Sequence, residues 1–325
     1  MNGTAGTLCS GPVAVVGIGN MGLGLALRLR DAGQAVQVHD LDPARCKLAA
    51  AAGAEVRATP AQAATGCGLL LLVVVVVDAA QTEAVLFGPE SAAAALAPGA
   101  AVMLCPTLGP ADVEHLAERL QGLGLGCIDE PMSGGPARAR DGQMSLMVAC
   151  SDALWARFEA LLGHLAARLF RIGQRPGDGA RTKLVNNLLA AVNLAGAAEA
   201  LALASRLGLD PARTLAVIEQ SSGQSWIGSD RLARALAGDF APRAHTTLLA
   251  KDSGLALAMA AQAGLPAPPM GKAAAALFQA ALAAGYGSQD DARLLSLLTQ
   301  RLALPFTHNL LDRGWPCREG SLRTA

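Results

Sequence analysis

A lysine and an asparagine stand out among the polar residues in the second half of this 325-residue chain. Lys183 lies in an apolar helical pattern, and Asn187 follows it at i+4, which places both side chains on one face of a helix. Burial beside apolar neighbours lowers the pKa of an ammonium group towards the range in which a lysine exchanges protons at neutral pH. The pair therefore predicts general acid–base chemistry. An ordinary surface lysine whose stem covers apolar neighbours is the alternative.

A second polar cluster directly follows a predicted strand. Ligands collect at the carboxyl ends of the strands in an open α/β sheet. Here Ser133 and the backbone N–H groups of Gly134 and Gly135 form a turn that can receive an anion. The cluster predicts a binding site for a substrate carboxylate, and a plain Ser-Gly-Gly turn is the alternative.

A third cluster is the pair Lys251 and Asp252, which lies in a predicted helix near the C-terminal end of the chain. An adjacent lysine and aspartate on an amphipathic helix usually belong to a solvated face. The pair by itself therefore favours a ligand-binding role and a solvated face equally.

The N-terminal region carries a glycine-rich turn in the context that dinucleotide binding requires. It follows an apolar run and opens a helical pattern. Gly17 permits a tight turn, Gly19 lets the backbone approach a pyrophosphate, and Gly22 allows the helix to pack closely on the strand. The residues of the turn predicted to bind the cofactor are Gly17, Gly19, Asn20, Met21 and Gly22.

Asp40 ends the next apolar strand, about 20 residues beyond the turn, where a carboxylate can accept hydrogen bonds from the adenosine ribose. The same carboxylate repels a 2′-phosphate, and no arginine follows it directly. The pattern therefore predicts NAD as the cofactor and disfavours NADP. Capping of the following helix is the alternative role for Asp40, but Asp42 before Pro43 fits that role better.

The predicted elements place these residues on two domains of an α/β protein. Residues 11–173 alternate β-rich runs with Ala-rich helical patterns, which is typical of a Rossmann doubly wound sheet. Residues 174–303 show helical patterns only and predict an all-α C-terminal domain built on a long interdomain helix. Residues 1–10 are predicted to be a flexible tail and residues 304–325 an irregular extension. The candidate strands are 12–17, 35–40, 69–77, 100–104, 125–129, 144–149 and 167–171.

The long helical pattern runs from Ala180 to about Leu207 and has Ala and Leu residues around its whole circumference. Such a helix is expected to be buried nearly all round, by its neighbours or by another subunit. A homodimer or homotetramer is therefore expected. Further helices are predicted after Asp210 and over 225–237, 246–263, 267–284 and 290–303.

The composition bears on the classes of partner. Lys plus Arg and Asp plus Glu both number 26, so the formal net charge is zero and no basic stripe favours nucleic acid. The seven cysteines occur singly, without the spacing of a metal site, which is typical of a reducing cytoplasm. No signal-peptide pattern occurs, and the longest apolar run, 69–77, is too short to span a bilayer. The composition predicts a cytoplasmic protein with no nucleic acid, membrane or metal partner.

Taken together, four motifs resemble those of the β-hydroxyacid dehydrogenase family, over roughly residues 12–303. The resemblance is to 3-hydroxyisobutyrate dehydrogenase-like members, and the sequences of the motifs are most similar to those of the L-threonate dehydrogenase branch. The motifs are GIGNMG at 17–22, DEPMSGG at 129–135, GDGARTKLVNN at 177–187 and KD at 251–252.

The resemblance implies an oxidoreductase that transfers a hydride between a small hydroxy acid and NAD. It implies that Lys183 is the general acid/base and that Asn187 orients the reacting hydroxyl or carbonyl. The residues implied to contact the ligands are Ser133, Gly134 and Gly135 at the substrate carboxylate, Lys251 at the substrate or cofactor, and Thr107 near the nicotinamide ribose.

The chain departs from the family pattern at two places. Glu130 and Met132 stand where the family usually has Ala and Val, which alters the pocket and adds a potential charge near the carboxylate site. Cys105 and Pro106 precede Thr107, where the family more commonly has the dipeptide Ser-Thr.

The sequence of the segment at 77–88 and the pair Ser225-Trp226 resemble the L-threonate branch. This resemblance implies that the substrate is a C4 sugar acid such as threonate or erythronate. The alternatives are a 3-hydroxyisobutyrate dehydrogenase and a tartronate or succinic semialdehyde-type reductase. More distant alternatives are an imine reductase and a non-catalytic dinucleotide-binding protein. Members of these last two classes tend to lack the lysine that matches Lys183.

Overall fold

The computed structural model describes Cys9, residues 11–72 and residues 79–303. The remainder of the predicted tail at 1–10, the predicted extension at 304–325 and the end of the candidate strand at 69–77 lie outside the described residues.

Within the described residues, one nine-stranded sheet forms the centre of the N-terminal part. Its order is β3-β2-β1-β4-β5-β6-β8-β7, with β9 beside β8. Strands β1 to β6 are parallel, β8 runs antiparallel to β6 and β7, and β9 is parallel to β8. The strands are β1 Val13–Val16, β2 Val36–His39, β3 Glu55–Val56, β4 Leu69–Leu72, β5 Ala101–Leu104, β6 Gly126–Asp129, β7 Met132–Ser133, β8 Met144–Ala149 and β9 Ala166–Gly173.

The chain order changes direction between β1 and β4, which creates the crevice where open α/β sheets bind ligands. The glycine turn follows β1, Thr107 follows β5, and the Ser133 cluster follows β6. Because these strands are parallel, the three segments begin at the same edge of the sheet.

Strand β1 is buried on both faces. Val13 and Val15 pack into one hydrophobic core, whereas Ala14 and Val16 pack into the other. Leu69 and Leu70 of β4 divide between the same two cores. A strand covered on both sides must be apolar at every position, which explains its uninterrupted apolar sequence.

Helices connect and cover the strands. The helix start predicted at Asp42 is observed, and Asp42, Thr59 and Ser151 each accept a hydrogen bond from a backbone N–H group in the first turn of the helix that follows. The helices of this region are α1 Asn20–Asp31, α2 Pro43–Ala51, α3 Pro60–Ala64, α4 Ala79–Phe87, α5 Ala92–Ala95, α6 Pro110–Gly122, α7 Gly135–Asp141 and α8 Asp152–Leu165.

After β9, the named elements within the described residues are all helical, so the predicted fold class is confirmed. These elements are α9 Asp178–Arg206, α10 Pro211–Glu219, α11 Trp226–Leu236, α12 Thr246–Gln262, α13 Pro269–Ala283, a 3-10 helix Asp291–Arg293 and α14 Leu294–Ala303. The two-residue strands β3 and β7 were not predicted, because so short a strand has no recognisable period in the sequence.

The described chain forms two compact units. One comprises the residues up to Val192 together with Ala241–Asp291, and the other comprises Asn193–Phe240 and the described residues from Ala292 onwards. The first unit therefore contains the sheet, the beginning of α9, α12 and α13. The domain division predicted at residues 173 and 174 remains a prediction.

Helix α9 is not buried all round within the single chain. Lys183 and Leu184 are buried, but Val185 and Leu189 are 60% and 59% exposed. Neighbours within the same chain therefore leave part of the helix uncovered, and coverage by another subunit remains a prediction. By length and hydropathy alone, α9 is the one helix among the described residues that could cross a membrane, and core helices of soluble proteins meet the same criteria.

Candidate active site

The N-terminus of α9 is joined to the end of β6 through Asp129. This carboxylate is 1% exposed, and its Oδ2 accepts hydrogen bonds from the backbone N–H groups of Gly177, at 2.8 Å, and Ala180, at 3.2 Å. Burial raises the pKa of Asp129 to about 6, against the opposing effect of these hydrogen bonds. Asp129 thus satisfies backbone groups at the start of the helix that carries Lys183.

The glycines at this junction are explained by packing. Gly177 has a φ of +94°, a conformation that favours glycine. A Cβ atom at Gly179 would lie 2.8 Å from the carbonyl oxygen of Met147 and 2.9 Å from Cγ of Asp129. The glycine-rich approach to Lys183 therefore lets the helix start close to the sheet.

We predict that Gly179→Ala lowers both the melting temperature and kcat, because the added methyl group must push the start of α9 away from β6 and β8. Overpacking of this kind costs about 1–3 kcal/mol. Thermal unfolding and initial-rate measurements check this result. Gly196→Ala in the same helix is the matched control, since a Cβ atom at Gly196 would meet no atom within 4 Å. Wild-type stability and turnover in Gly179→Ala would contradict the packing role.

Lys183 lies one helical turn into α9 and is 7% exposed. Burial lowers the pKa of its ammonium group to about 8, Asp252 opposes this shift, and the positive charge of Lys251 adds to it. The structure therefore places Lys183 in a largely desolvated environment, as its apolar neighbours suggested. Its assignment as general acid/base remains a prediction.

Asn187 is held by Asp252, a residue of α12. Its Nδ2 donates a hydrogen bond to Oδ2 of Asp252 at 2.6 Å, while its Oδ1 accepts one from Nδ2 of Asn186 at 3.0 Å. Asp252 is 5% exposed. The sequence singled out the pair Lys251 and Asp252 but gave Asp252 no role of its own, and its contact with Asn187 lies too far along the chain to be predicted.

Lys251 extends the same network to the loop after β5. Its Nζ donates a hydrogen bond to the backbone carbonyl of Thr107 at 2.6 Å and lies 3.0 Å from Oδ1 of Asp252. The side chains of Lys251 and Asp252 are 17% and 6% exposed, so they do not form a solvated face. A cavity of about 380 Å³ adjoins this contact and is lined by Ala79, Ala80, Thr107, Leu108, Gly109, Asp112, Lys251 and Leu255.

The glycine turn after β1 forms a tight backbone turn that leads into the N-terminus of α1. Gly17 has a φ of +83°, and its N–H donates to the carbonyl of His39 at 3.0 Å. Gly19 caps α1 without a side chain, so no side chain of the cap blocks the N–H groups at the helix start. Gly22 is buried, Met21 packs against the core, and Asn20 begins the helix. These residues fit a dinucleotide.

Asp40 lies beyond the end of β2 and is partly exposed. Its Oδ1 accepts a hydrogen bond from the backbone N–H of Asp42 at 2.8 Å. Asp42 caps α2 by accepting from the N–H of Ala44 at 2.9 Å, as its position before proline predicted. The carboxylate of Asp40 is therefore oriented by the turn, and its proposed contact with a ribose remains a prediction.

The Ser133 cluster spans the end of β7 and the start of α7. Ser133 pairs with Ser145 of β8, and the two glycines that follow have φ values of +144° for Gly134 and +81° for Gly135. All three residues of the turn are partly exposed. The glycines allow a left-handed backbone here, which supports the predicted anion-binding turn.

Glu130 and Cys105, which depart from the family pattern, meet in the interior. Glu130 is 1% and Cys105 4% exposed, and the Cys105 thiol donates to Oε2 of Glu130 at 3.6 Å. Within the described residues, Oε1 of Glu130 has no hydrogen-bond partner. Burial raises the pKa of Glu130 to about 8. Glu130 is therefore mainly neutral at pH 7, which removes the potential charge expected near the carboxylate site.

Two family models match the sequence. The model described as the NAD binding domain of 6-phosphogluconate dehydrogenase matches residues 12–173. The model described as the NAD-binding domain of NADP-dependent 3-hydroxyisobutyrate dehydrogenase matches residues 177–298. Between them they span the sheet and the helices from α9 into α14.

Individual relatives agree with these matches. The chain is 39% identical to the L-threonate dehydrogenase of Cupriavidus necator over 285 residues, which cover 88% of this chain and 95% of that protein. It is 36% identical to the L-threonate dehydrogenase of Escherichia coli K12, with 88% and 94% of the two chains covered. A crystal structure of a 3-hydroxyisobutyrate dehydrogenase from Salmonella typhimurium matches with a TM-score of 0.82 and 35% identity, covering 89% of this chain and 100% of that chain.

These relationships confirm the family that the four motifs resembled. The chain belongs to the 3-hydroxyisobutyrate dehydrogenase-like β-hydroxyacid dehydrogenases, and it is a hydroxy acid dehydrogenase with a Rossmann NAD(P)-binding domain.

Proposed function

We propose that this protein is an NAD-dependent dehydrogenase of a C4 sugar acid such as L-threonate, with Lys183 as general acid/base. The observation that carries the proposal is the burial of the Lys183 ammonium group, which is 7% exposed and has its pKa lowered to about 8. The names of the relatives from Cupriavidus necator and Escherichia coli support the substrate class.

In the oxidation direction, the neutral amine of Lys183 removes the proton of the substrate hydroxyl. NAD held by the glycine turn and Asp40 would supply the acceptor for the hydride that leaves the same carbon. Asn187 donates one Nδ2 hydrogen to Asp252, so its second Nδ2 hydrogen can hydrogen-bond to the reacting oxygen. In the reduction direction the protonated Lys183 donates the proton. Ser133 and the N–H groups of the following glycines bind the carboxylate and fix the orientation of the substrate.

The pH dependence of oxidation tests the role of Lys183. Oxidation requires the neutral amine, and the pKa of Lys183 is about 8. We therefore expect kcat/KM for oxidation to rise with pH up to about 8 and to level off above it, whereas reduction shows the opposite trend. Initial rates measured in both directions from roughly pH 6 to 10 check this expectation. A pH-independent kcat/KM in both directions would argue against a lysine acid/base.

A substrate panel tests the substrate and cofactor. Reduction of NAD and of NADP is followed with threonate, erythronate, glycerate and 3-hydroxyisobutyrate, and the proposal expects the highest kcat/KM for a C4 acid with NAD. Pocket contacts that distinguish such acids are worth about 1–3 kcal/mol each, so the preferred substrate should stand out about tenfold or more. Highest activity with 3-hydroxyisobutyrate would instead favour the function named for the Salmonella typhimurium structure.

We also propose that the protein works as a cytoplasmic homodimer or homotetramer. The exposed apolar side chains of Val185, Leu189 and Leu203 along α9 support association with a second copy. Sedimentation equilibrium of the full chain measures the subunit number, and a monomer at assay concentrations would contradict this proposal.

A further inference from the structure

We propose that Arg45 is a cofactor-selectivity residue, which gives the adenosine end of the site an affinity for a 2′-phosphate that the carboxylate of Asp40 alone would abolish. NAD stays the preferred cofactor, and NADP becomes a usable one. This inference rests on the dinucleotide site of the proposed function.

The guanidinium of Arg45 lies between the starts of two helices. Its Nη2 donates a hydrogen bond to Oδ1 of Asn20, the first residue of α1, at 2.9 Å. Its Nε lies 3.4 Å from Oδ2 of Asp42, the N-cap of α2. Strands β1 and β2 are adjacent and parallel, with Val16 opposite His39, so both helices start from the same edge of the sheet.

This position adjoins the expected place of the adenosine ribose. The glycine turn before Asn20 fits the pyrophosphate, and Asp40 follows β2, where an acidic side chain binds the ribose hydroxyls. The backbone N–H of Asp42 fixes the Asp40 carboxylate, and the side chain of Asp42 contacts Arg45. No arginine directly follows Asp40 in the sequence. Arg45, in the first turn of α2, nevertheless lies beside this segment because it contacts Asp42.

The donors of Arg45 suit a phosphate. A guanidinium has five N–H donors in a planar arrangement that matches phosphate oxygens. Asn20 and Asp42 occupy part of this set and hold the side chain, which is 31% exposed and therefore open to a ligand. A preorganised guanidinium loses little side-chain entropy when it binds a phosphate.

The local charges explain why NAD remains preferred. Asp40 and Asp42 contribute two negative charges to this segment, and Arg45, which pairs with Asp42, contributes one positive charge. A 2′-phosphate therefore meets both repulsion from Asp40 and a charge-assisted hydrogen bond from Arg45. Removal of Arg45 leaves only the repulsion, whereas removal of the Asp40 charge leaves only the attraction.

Calorimetric titration of the full chain with 2′,5′-ADP and with 5′-ADP tests the inference, because neither fragment carries a nicotinamide ring. Because Arg45→Ala removes a charge-assisted hydrogen bond to the 2′-phosphate, we expect it to weaken binding of 2′,5′-ADP at least about tenfold. Binding of 5′-ADP should change by less than about threefold. Lys47→Ala is the matched control, since Lys47 is an exposed cation on the same helix.

A second variant distinguishes a specific effect of Arg45→Ala from a general loss of folding or of the whole nucleotide site. Asp40→Asn should tighten binding of 2′,5′-ADP, and adding Arg45→Ala should abolish this gain. Equal weakening of both fragments by Arg45→Ala, the same selective loss in Lys47→Ala, or a gain that survives in the double variant would each overturn the inference. Since fragment binding involves no hydride transfer, such a failure is distinct from a failure of the proposed reaction.

Discussion

Replacement of Lys183 by methionine is expected to reduce kcat about 10²–10⁴-fold, which is the typical contribution of a general acid/base. Methionine is also long and unbranched, so it can fill the buried space, but it cannot exchange a proton. Binding of NAD should persist, because the residues predicted to bind the pyrophosphate and the adenosine ribose, the glycine turn and Asp40, are unchanged in this variant. Initial rates and calorimetric NAD binding, measured on the same preparation, check both parts.

The control for this variant is Lys272→Met, which removes an exposed lysine from α13. It should have wild-type kcat. Turnover within about threefold of wild type in Lys183→Met would remove Lys183 from the chemistry. Loss of NAD binding together with kcat would instead indicate that the variant is misfolded, and Lys183→Arg, which keeps the charge, would then separate folding from proton transfer.

The same variant should be more stable than the wild type at neutral pH. The folded-state pKa of Lys183 is about 8, below its ordinary value of 10.5, so burial of the ammonium group destabilises the folded state. The effect is fully present below pH 8 and diminishes as the pH rises from about 8 to about 10.5, where the folded state releases the proton first. A gain in stability with a loss of turnover is the behaviour of a residue kept for function.

Replacement of Glu130 by glutamine is expected to raise stability at alkaline pH. The folded-state pKa of Glu130 is about 8, against an ordinary value of 4.5, because burial disfavours the carboxylate. Between these pH values the folded state holds a proton that the unfolded state has released. The free energy of unfolding should therefore fall as the pH rises through this interval, and the contribution of Glu130 is constant above it.

The expected size of this effect is on the order of 5 kcal/mol, since a tenfold change in proton affinity is worth about 1.4 kcal/mol. Glutamine resembles the neutral acid in shape and does not titrate. The free energy of unfolding of Glu130→Gln should therefore fall much less with rising pH than that of the wild type. Denaturant unfolding of both proteins from roughly pH 5 to 9 measures the difference.

The comparison between wild type and variant also removes the contributions of other groups. Asp129 titrates with a raised pKa of about 6 and adds a fall of the same sign, but it is present in both proteins. Glu159→Gln, which changes an exposed carboxylate on α8, is the control and should leave the curve unchanged. Parallel pH profiles for wild type and Glu130→Gln would show that Glu130 is not neutral in the folded protein.

Local sequence signals determined much of the fold. The capping residue Asp42 was recognisable because its partner lies only two residues further along the chain. The buried strands were recognisable from their apolar runs, and the glycine turn from its place between a strand and a helix. These features depend on neighbouring residues, so they can be inferred from the chain alone. The same holds for Lys183 and Asn187, which share one helical face.

The partners of these residues were decided by the tertiary structure. The hydrogen bond from Gly177 to Asp129 joins residues 48 positions apart, and that from Asn187 to Asp252 joins residues 65 positions apart. Arg45 reaches Asn20 across 25 positions. No local pattern encodes such distances, because they follow from which strands are adjacent and how the helices return to the sheet edge.

The burial of the site residues is a further property that the sequence alone did not determine. The sequence alone established that this chain carries a dinucleotide turn, a lysine in an apolar helix and a Ser-Gly-Gly turn. Only the tertiary structure decided that Lys183 is nearly inaccessible to water and that Glu130 lies against a thiol in the interior. The physical reason is that desolvation depends on all the atoms surrounding a group, and those atoms come from distant parts of the chain.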